Sequence, residues 1–205
     1  MPTATFYRLP TPKRARIVQA AYTEFARATY PEASVSNIIR QAQLAHRSFY
    51  QYFQDKADIF DYLLRLQQNR TLAWMQDVLT EENHDFFSAI AIVFDHLIDM
   101  LATGPYAPFY ANVFDYVQQR DPKRLAAQPQ AGAAKYLREH LDRSQLKVQT
   151  DDEVDLLIDE VLGMFIQTMS AYFQQPGEKG SVDTLKQQVA RQLQWLSAGC
   201  VRCEK

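Results

Sequence analysis

The sequence predicts an all-α protein, with a cluster of short helices near the N-terminus followed by a larger helical body. Three observations predict it. Apolar residues recur at three- and four-residue spacing, and no alternating strand pattern occurs. Glycine is scarce: six in 205 residues, none before Gly104. Pro and Gly punctuate the periodic segments, as at Gly104-Pro105, Asp121-Pro122 and Pro176-Gly177.

The first helix is expected to begin near Pro12, because proline suits a first helical turn. Ile17, Ala20, Ala21, Tyr22, Phe25 and Ala28 form its buried stripe, and Pro31 closes it. A short helix follows from about Ser34 to Gln41, with Val35, Ile38 and Ile39 inward. A second short helix covers about Ala45 to Tyr52. A longer one begins at Asp55 and carries Ile59, Phe60, Leu63, Leu64 and Leu66. Helices are then expected over 84–103 and 105–120, stopped by Gly104-Pro105 and Asp121-Pro122. The stretch 122–132 reads as a loop, followed by helices over 133–142, 151–174 and 181–198.

Composition excludes several classes. With 47% hydrophobic and 22% charged residues, a folded chain is expected rather than a disordered one. No apolar run reaches the roughly 18 residues of a membrane span. No secretory leader is visible, so the cytoplasm is the expected location. The glycine distribution leaves no phosphate-binding loop, and no cofactor is expected. Cys200 and Cys203 have no second pair to complete a zinc site, and read as a frayed C-terminal tail. The net charge of −2 conceals an asymmetry: residues 1–60 hold eight Lys/Arg against four Asp/Glu, and the remainder is acidic. A basic head on an acidic body suits a nucleic-acid reader attached to something that does not touch DNA.

The most informative stretch is residues 34–60, SVSNIIRQAQLAHRSFYQYFQDKADIF. Two helices of seven or eight residues, joined by three or four, bury no core alone. They fit a helix-turn-helix, whose second helix enters the major groove. Ile38, Ala42, Leu44 and Phe49 hold the pair against the first helix, so His46, Arg47, Ser48 and Gln51 face out. Arg pairs with guanine, Gln with adenine, and Ser and His reach bases or phosphates.

These residues resemble the N-terminal pattern of the TetR family. Arg16, Ile17, Ala20, Ala21, Phe25, Ser34, Val35, Ile38, Ala42, Ser48, Phe49, Tyr50, Tyr52, Phe53, Lys56 and Ile59 fall in step with it, FYQYFQDKADIF being the most specific part. The resemblance implies a DNA reader in residues 1–56 and an effector-binding and dimerisation domain in 57–205. It implies phosphate contacts for Tyr50 and Lys56, and a helix cap at Ser34. It places Lys13 and Arg14 near the minor groove or backbone, and counts Ser36 among the DNA-binding residues. Three positions depart from the pattern. Gln43 stands where the family usually has Gly, Ala45 where it has a capping Ser, and Arg47 where a small residue is common.

Residues 61–200 carry no catalytic signature, so no enzyme is expected. His84, His96 and His140 share no metal-ligand spacing, and Asp95 and Asp99 around His96 read as a solvated face. The acidic run Asp151, Asp152, Glu153, Asp155 suits the positive end of a helix dipole. The resemblance implies a small-molecule pocket in this region, with Phe94, Phe109, Phe114, Phe165 and Met169 as candidate lining. It also implies a homodimer through the last two long helices. Their stripes are Leu156, Leu157, Val161, Met164 and Phe165, then Leu185, Val189, Leu193 and Leu196. The mechanism implied is repression at a palindromic operator, relieved by an effector that moves the helix beginning at Lys56. The rival readings are a helical ligand carrier or enzyme without a DNA role, and a scaffold whose basic head binds protein or membrane.

Overall fold

The computed structural model describes residues 1–120, 130–174 and 181–200. It contains α1 (Ala4–Tyr7), α2 (Thr11–Arg27), α3 (Val35–Gln41), α4 (His46–Tyr52) and α5 (Lys56–Glu81). These are followed by α6 (Phe86–Ala102), α7 (Ala107–Arg120), α8 (Gln130–His140), α9 (Asp151–Gln174) and α10 (Val182–Cys200). No strand occurs among the described residues.

The N-terminal module is built on α2. Ile17, Ala20, Ala21, Glu24 and Phe25 lie on one stripe at helical spacing and are all buried. Helices α3 and α4 add Ile38, Ile39, Phe49 and Tyr52 to the same core. The turn between them needs a left-handed residue, and Gln43 supplies it at φ 53°. The amides of Gln43 and Leu44 then bond the carbonyls of Arg40 and Ile39, closing α3. Ala45 occupies the N-cap of α4 with no side chain able to bond the first turn.

Helix α1 was not expected. Four residues carry no periodicity, but Phe6 is fully buried against Phe53 and Tyr62, at 4.9 and 5.2 Å between ring centroids. Thr3 ties this segment to the end of α4, its amide bonding Tyr52 O and its hydroxyl bonding Gln51 O.

Helix α5 is the longest at 26 residues. Asp55 caps it by accepting from the Asp58 amide, while Asp58 accepts from the Gln54 amide. The helix runs from the N-terminal module into the body, packing on α2, α6 and α8. At its end Asn83 and His84 both adopt positive φ, turning the chain into α6, which Asp85 caps at Ser88. After α6, Gly104 is sterically required. A Cβ there would sit 2.4 Å from the Met100 carbonyl oxygen.

In the body, α6, α7, α9 and α10 pack as a bundle, with α8 against α5 and α9. The acidic opening of α9 is used structurally. Asp151 pairs with Arg143, Asp155 with Arg138, and Glu153 accepts the amides of Gln149 and Thr150. Helix α9 is long and apolar enough to cross a membrane by composition, yet it packs on α7, α8 and α10 as a bundle helix. Cys200 is not frayed: it is half-buried at the end of α10, where its carbonyl accepts the Lys147 amide. Cys203 and most of the expected 122–132 loop lie outside the described residues, and α8 already covers residues 130–132.

The turn and cap of the helix-turn-helix carry correctable strain. Gln43→Gly is expected to stabilise the protein by about 0.5–1 kcal/mol by relieving the left-handed conformation. Ala45→Ser should add roughly 1 kcal/mol through a hydroxyl cap. Urea denaturation of the two variants and the parent checks both; a loss of stability in Gln43→Gly counts against a strained turn.

Candidate DNA interface and effector chamber

The N-terminal module is organised around one buried carboxylate. Glu24 is 0% exposed. It accepts Nε and Nη2 of Arg27 at 3.0 and 2.7 Å, the Ser34 amide at 2.8 Å and Asn37 Nδ2 at 3.1 Å. Four donors on one carboxylate favour its charged form, so its pKa falls from the ordinary 4.5 to about 2. The Arg27 hydrogen bonds are the largest cause, opposed by burial. Glu24 thereby fixes the start of α3 against α2. Ser34 does sit at the N-cap of α3, but its hydroxyl makes no cap bond.

Lys56 is placed differently from the expectation. Its ammonium donates to the carbonyls of Tyr30, Pro31 and Ala33 at 2.7, 3.1 and 3.0 Å, and lies 4.8 Å from the centroid of the Tyr30 ring. An ammonium has three donors, and all three are engaged within the chain. Lys56 is a staple across the α2–α3 connection, not a free phosphate anchor. Desolvation by burial pulls its pKa down, and the charge of Glu24 pushes it back up.

The outward face of α4 carries His46, Arg47, Tyr50 and Gln51, all exposed, with Tyr50 at 53%. Tyr50 is braced by the rings of His46 and Phe49, with centroids 5.6 and 5.3 Å away. Ser48 is half-buried on the same helix, and Ser36 is exposed on α3. At the start of α2, Lys13 lies 5.8 Å from the Tyr52 ring, and Arg14 donates to Tyr7 O. The contact with Tyr52 brings the base of α2 alongside the end of α4. Tyr52 and Phe53 are core, as the packing of Phe6 requires. Glu24, Asn37 and Thr3 escaped sequence reasoning. A lone Glu on a helical stripe carries no local sign of the four donors that the fold brings to it.

The body encloses a cavity of about 220 Å³ between α5, α6, α7, α8 and α9. Of the five candidate lining residues, Phe94, Phe114 and Phe165 line it. Phe94 stacks on Phe165 at 4.1 Å. Phe109 and Met169 do not line it. Phe109 faces the N-terminal module instead, against Tyr22 and Phe60 at 5.0 and 6.0 Å, and Met169 is fully buried in the core. Asp95 and Asp99 do not converge with His96: both pair with Lys186 of α10, while His96 lies against Trp74. Among the described residues no group of His, Cys, Asp and Glu is arranged to hold a metal.

Helix α7 joins the two parts. Tyr110, Val113 and Phe114 line the cavity. Asn112 donates to the carbonyls of Phe25, Ala26 and Ala28 at the end of α2, and Tyr106 OH bonds Gln19. Tyr106 also stacks on Tyr22 at 4.2 Å. Burial pushes the Tyr22 phenol up to about 12 and the Tyr110 phenol higher still, so both remain protonated.

A short outward helix held by a helix-turn-helix, on a helical body with an internal cavity, defines a DNA-binding regulator with an attached sensing domain. Comparison with known proteins agrees. Residues 17–63 match the family model described as bacterial regulatory proteins, tetR family, and residues 85–200 match the tetracyclin repressor-like C-terminal domain. The chain belongs to the TetR family of transcriptional regulators, whose members bind DNA, act as dimers and are generally not enzymes. Solved structures share the fold. A TetR-family regulator from Mesorhizobium loti aligns with TM-score 0.67 and 17% identity over 93% of this chain and 98% of its own. A fatty acid degradation regulator from Bacillus halodurans gives 0.66 and 19% over 94% and 98%. A family member from Chloroflexus aurantiacus gives 0.57 and 20% over 99% and 100%. No curated protein matches significantly.

The Glu24 hub sets an acid sensitivity. A carboxylate depressed from 4.5 to about 2 contributes stability that is complete above pH 4.5 and lost as pH falls toward 2. The contribution is on the order of 3 kcal/mol. Glu24→Gln is expected to destabilise the module at pH 7 and to flatten the acid limb of a stability–pH curve. An unchanged acid limb contradicts the hub. Lys56→Met is expected to cost about 1 kcal/mol by leaving three carbonyls, two of them part-buried, without their ammonium partner, read from thermal unfolding without DNA.

Proposed function

We propose that this protein represses transcription from a near-palindromic operator as a homodimer in the cytoplasm, and leaves the DNA when a small molecule enters the body. The observation that carries the reading is the outward row His46, Arg47, Tyr50 and Gln51 on a seven-residue helix. Arg47 and Gln51 reach base edges, with His46 and Ser48 beside them, and the Tyr50 hydroxyl meets a phosphate. Lys13, Arg14, Ser34 and Ser36 flank this row and contact the backbone. The reader is residues 1–56, and residues 57–205 bind effector and partner.

Two features support the dimer. The stripes expected from sequence split on folding: Leu157, Val161, Phe165, Leu185, Val189 and Leu193 are core of this chain. What remains outward is Leu156 at 61% and Trp195 at 68% exposure, with Met164 and Leu196 half-buried between the same two helices. Both exposed residues lie at one end of the α9–α10 pair, because Lys147, just before α9, bonds the carbonyls of Gly199 and Cys200 at the end of α10. Large apolar side chains grouped on paired helices suit a two-fold four-helix contact. Such a dimer sets its recognition helices roughly 34–36 Å apart, or a multiple of that.

Effector release needs a ligand that prefers the DNA-incompetent state, because a ligand indifferent between states shifts nothing. Helices α5 and α7 both line the cavity and both touch the reader. A ligand that displaces them alters the tilt of α2 and the spacing of the two α4 helices.

Arg47→Ala is expected to weaken operator binding by about 1–3 kcal/mol and relax preference at one base pair. Tyr50→Phe should weaken all sequences alike. Titration over single-base operator variants, themselves obtained by selection from random DNA, measures both. Unchanged affinity in both variants removes α4 from the interface. Leu156→Glu combined with Trp195→Glu should shift the dimer to monomer with helix content intact, seen by sedimentation velocity.

A further inference from the structure

A second chamber of about 380 Å³ adjoins the apolar cavity. Its walls include Arg70, Trp74, His96, Pro105 and Tyr106. The two chambers share Gln67, Thr71 and Met100. Those three side chains form the partition: Gln67 Nε2 bonds Met100 Sδ at 2.8 Å and approaches Thr71 Oγ1 at 3.5 Å. A sulfur is a weak acceptor, so Gln67 is held loosely and displaced cheaply.

The chambers differ in chemistry. The inner one is lined mainly by aliphatic and aromatic side chains, with Gln67, Gln68 and Thr71 as its polar exceptions and no Lys, Arg, His, Asp or Glu among the described residues of its wall. Arg70 lies on the wall of the outer one as an exposed guanidinium, with no carboxylate within 4 Å among the described residues. The carboxylates nearest in sequence to His96, Asp95 and Asp99, are engaged by Lys186. An apolar chamber behind an unpaired cation selects a molecule that is apolar at one end and anionic at the other. A neutral apolar ligand fills the inner chamber without using the positive charge at the mouth of the outer one, and a small anion leaves the inner chamber empty.

We propose that the effector is an anionic amphiphile. Its hydrocarbon tail passes Gln67 into the inner chamber, and its anionic head meets Arg70 beside Trp74 and His96. The assignment rests on reading the body as the effector domain. The inner chamber, at about 220 Å³, is large enough for a hydrocarbon tail of several methylenes. The head-group position also reaches the reader. Tyr106 lines the outer chamber while its hydroxyl bonds Gln19 and its ring stacks on Tyr22 of α2. A head group drawn to Arg70 therefore acts on the side chain that ties the body to the reader.

The test is calorimetric titration of the full-length dimer with straight-chain carboxylates of two to ten carbons, and with 1-octanol and octylamine. Affinity is expected to rise roughly fourfold per methylene up to about eight carbons. Octanoate should bind about tenfold tighter than octanol, and octylamine weakest. Arg70→Gln, an exposed position, should bring octanoate within about twofold of octanol. Octanoate binding should change the tryptophan fluorescence of the parent protein, and Trp74→Phe, which leaves Trp195 as the sole tryptophan, should abolish that change. Equal affinity for octanoate and octanol overturns the anionic head; a flat chain-length series overturns the buried tail. Operator release is scored separately by gel shift. Carboxylate-selective binding without release upholds the ligand class and counts instead against ligand-released repression.

Discussion

The N-terminal module depends on one buried negative charge. Helices α3 and α4 have seven residues each, too few to be stable alone. Their positions must be imposed from outside, and Glu24 imposes that of α3 by gathering donors from Arg27, Ser34 and Asn37. Lys56 closes the same corner from the other side, by holding the three carbonyls of the connecting chain. A carboxylate and an ammonium, neither free to touch DNA, thus set the angle at which the exposed row of α4 is presented. Breaking such a buried arrangement on one side only is costly, because the partners are left desolvated.

The same economy of contacts governs the link between reader and body. Helix α7 turns one face to the apolar cavity and the other to α2. Asn112 caps the last carbonyls of α2, where a helix leaves acceptors unsatisfied. Tyr106 and Phe109 pack against Tyr22. Because close-packed interiors shift between discrete arrangements rather than deform smoothly, a displacement at the cavity has a rigid route to the reader through this helix as well as through α5.

Much of the candidate site was legible in the residues, and the exceptions share a cause. The exposed face of α4 follows from helical spacing: with Phe49 and Tyr52 inward, His46, Arg47, Tyr50 and Gln51 have only the outside left. The positive φ at Gln43 was signalled only by the family resemblance, which usually has Gly at that position. Lys56 misled because a lysine at a helix start satisfies two descriptions equally well, phosphate anchor and carbonyl staple. Only the neighbourhood of Tyr30, Pro31 and Ala33 separates them. Phe109 and Met169 misled in the same way, since an aromatic or thioether side chain looks alike in sequence whether it walls a cavity or fills a core.

The sequence by itself determined the helical class, most helix boundaries within a few residues, and the helix-turn-helix, while the family resemblance singled out its turn at Gln43 and its cap at Ala45. These are local properties, written in spacing, proline and glycine placement, and turn chemistry. The tertiary structure alone decided which apolar stripe of α9 and α10 stays in this chain and which faces outward. It also decided that residues 4–7 form a helix around Phe6, and that Arg70 stands unpaired beside an apolar chamber. Each of those depends on partners tens of residues away, and side-chain type records what a residue can bond, not what the fold brings to it. The exposed row is therefore narrower than the module that carries it: four side chains on α4, held in place by a buried carboxylate and a half-buried ammonium beneath them.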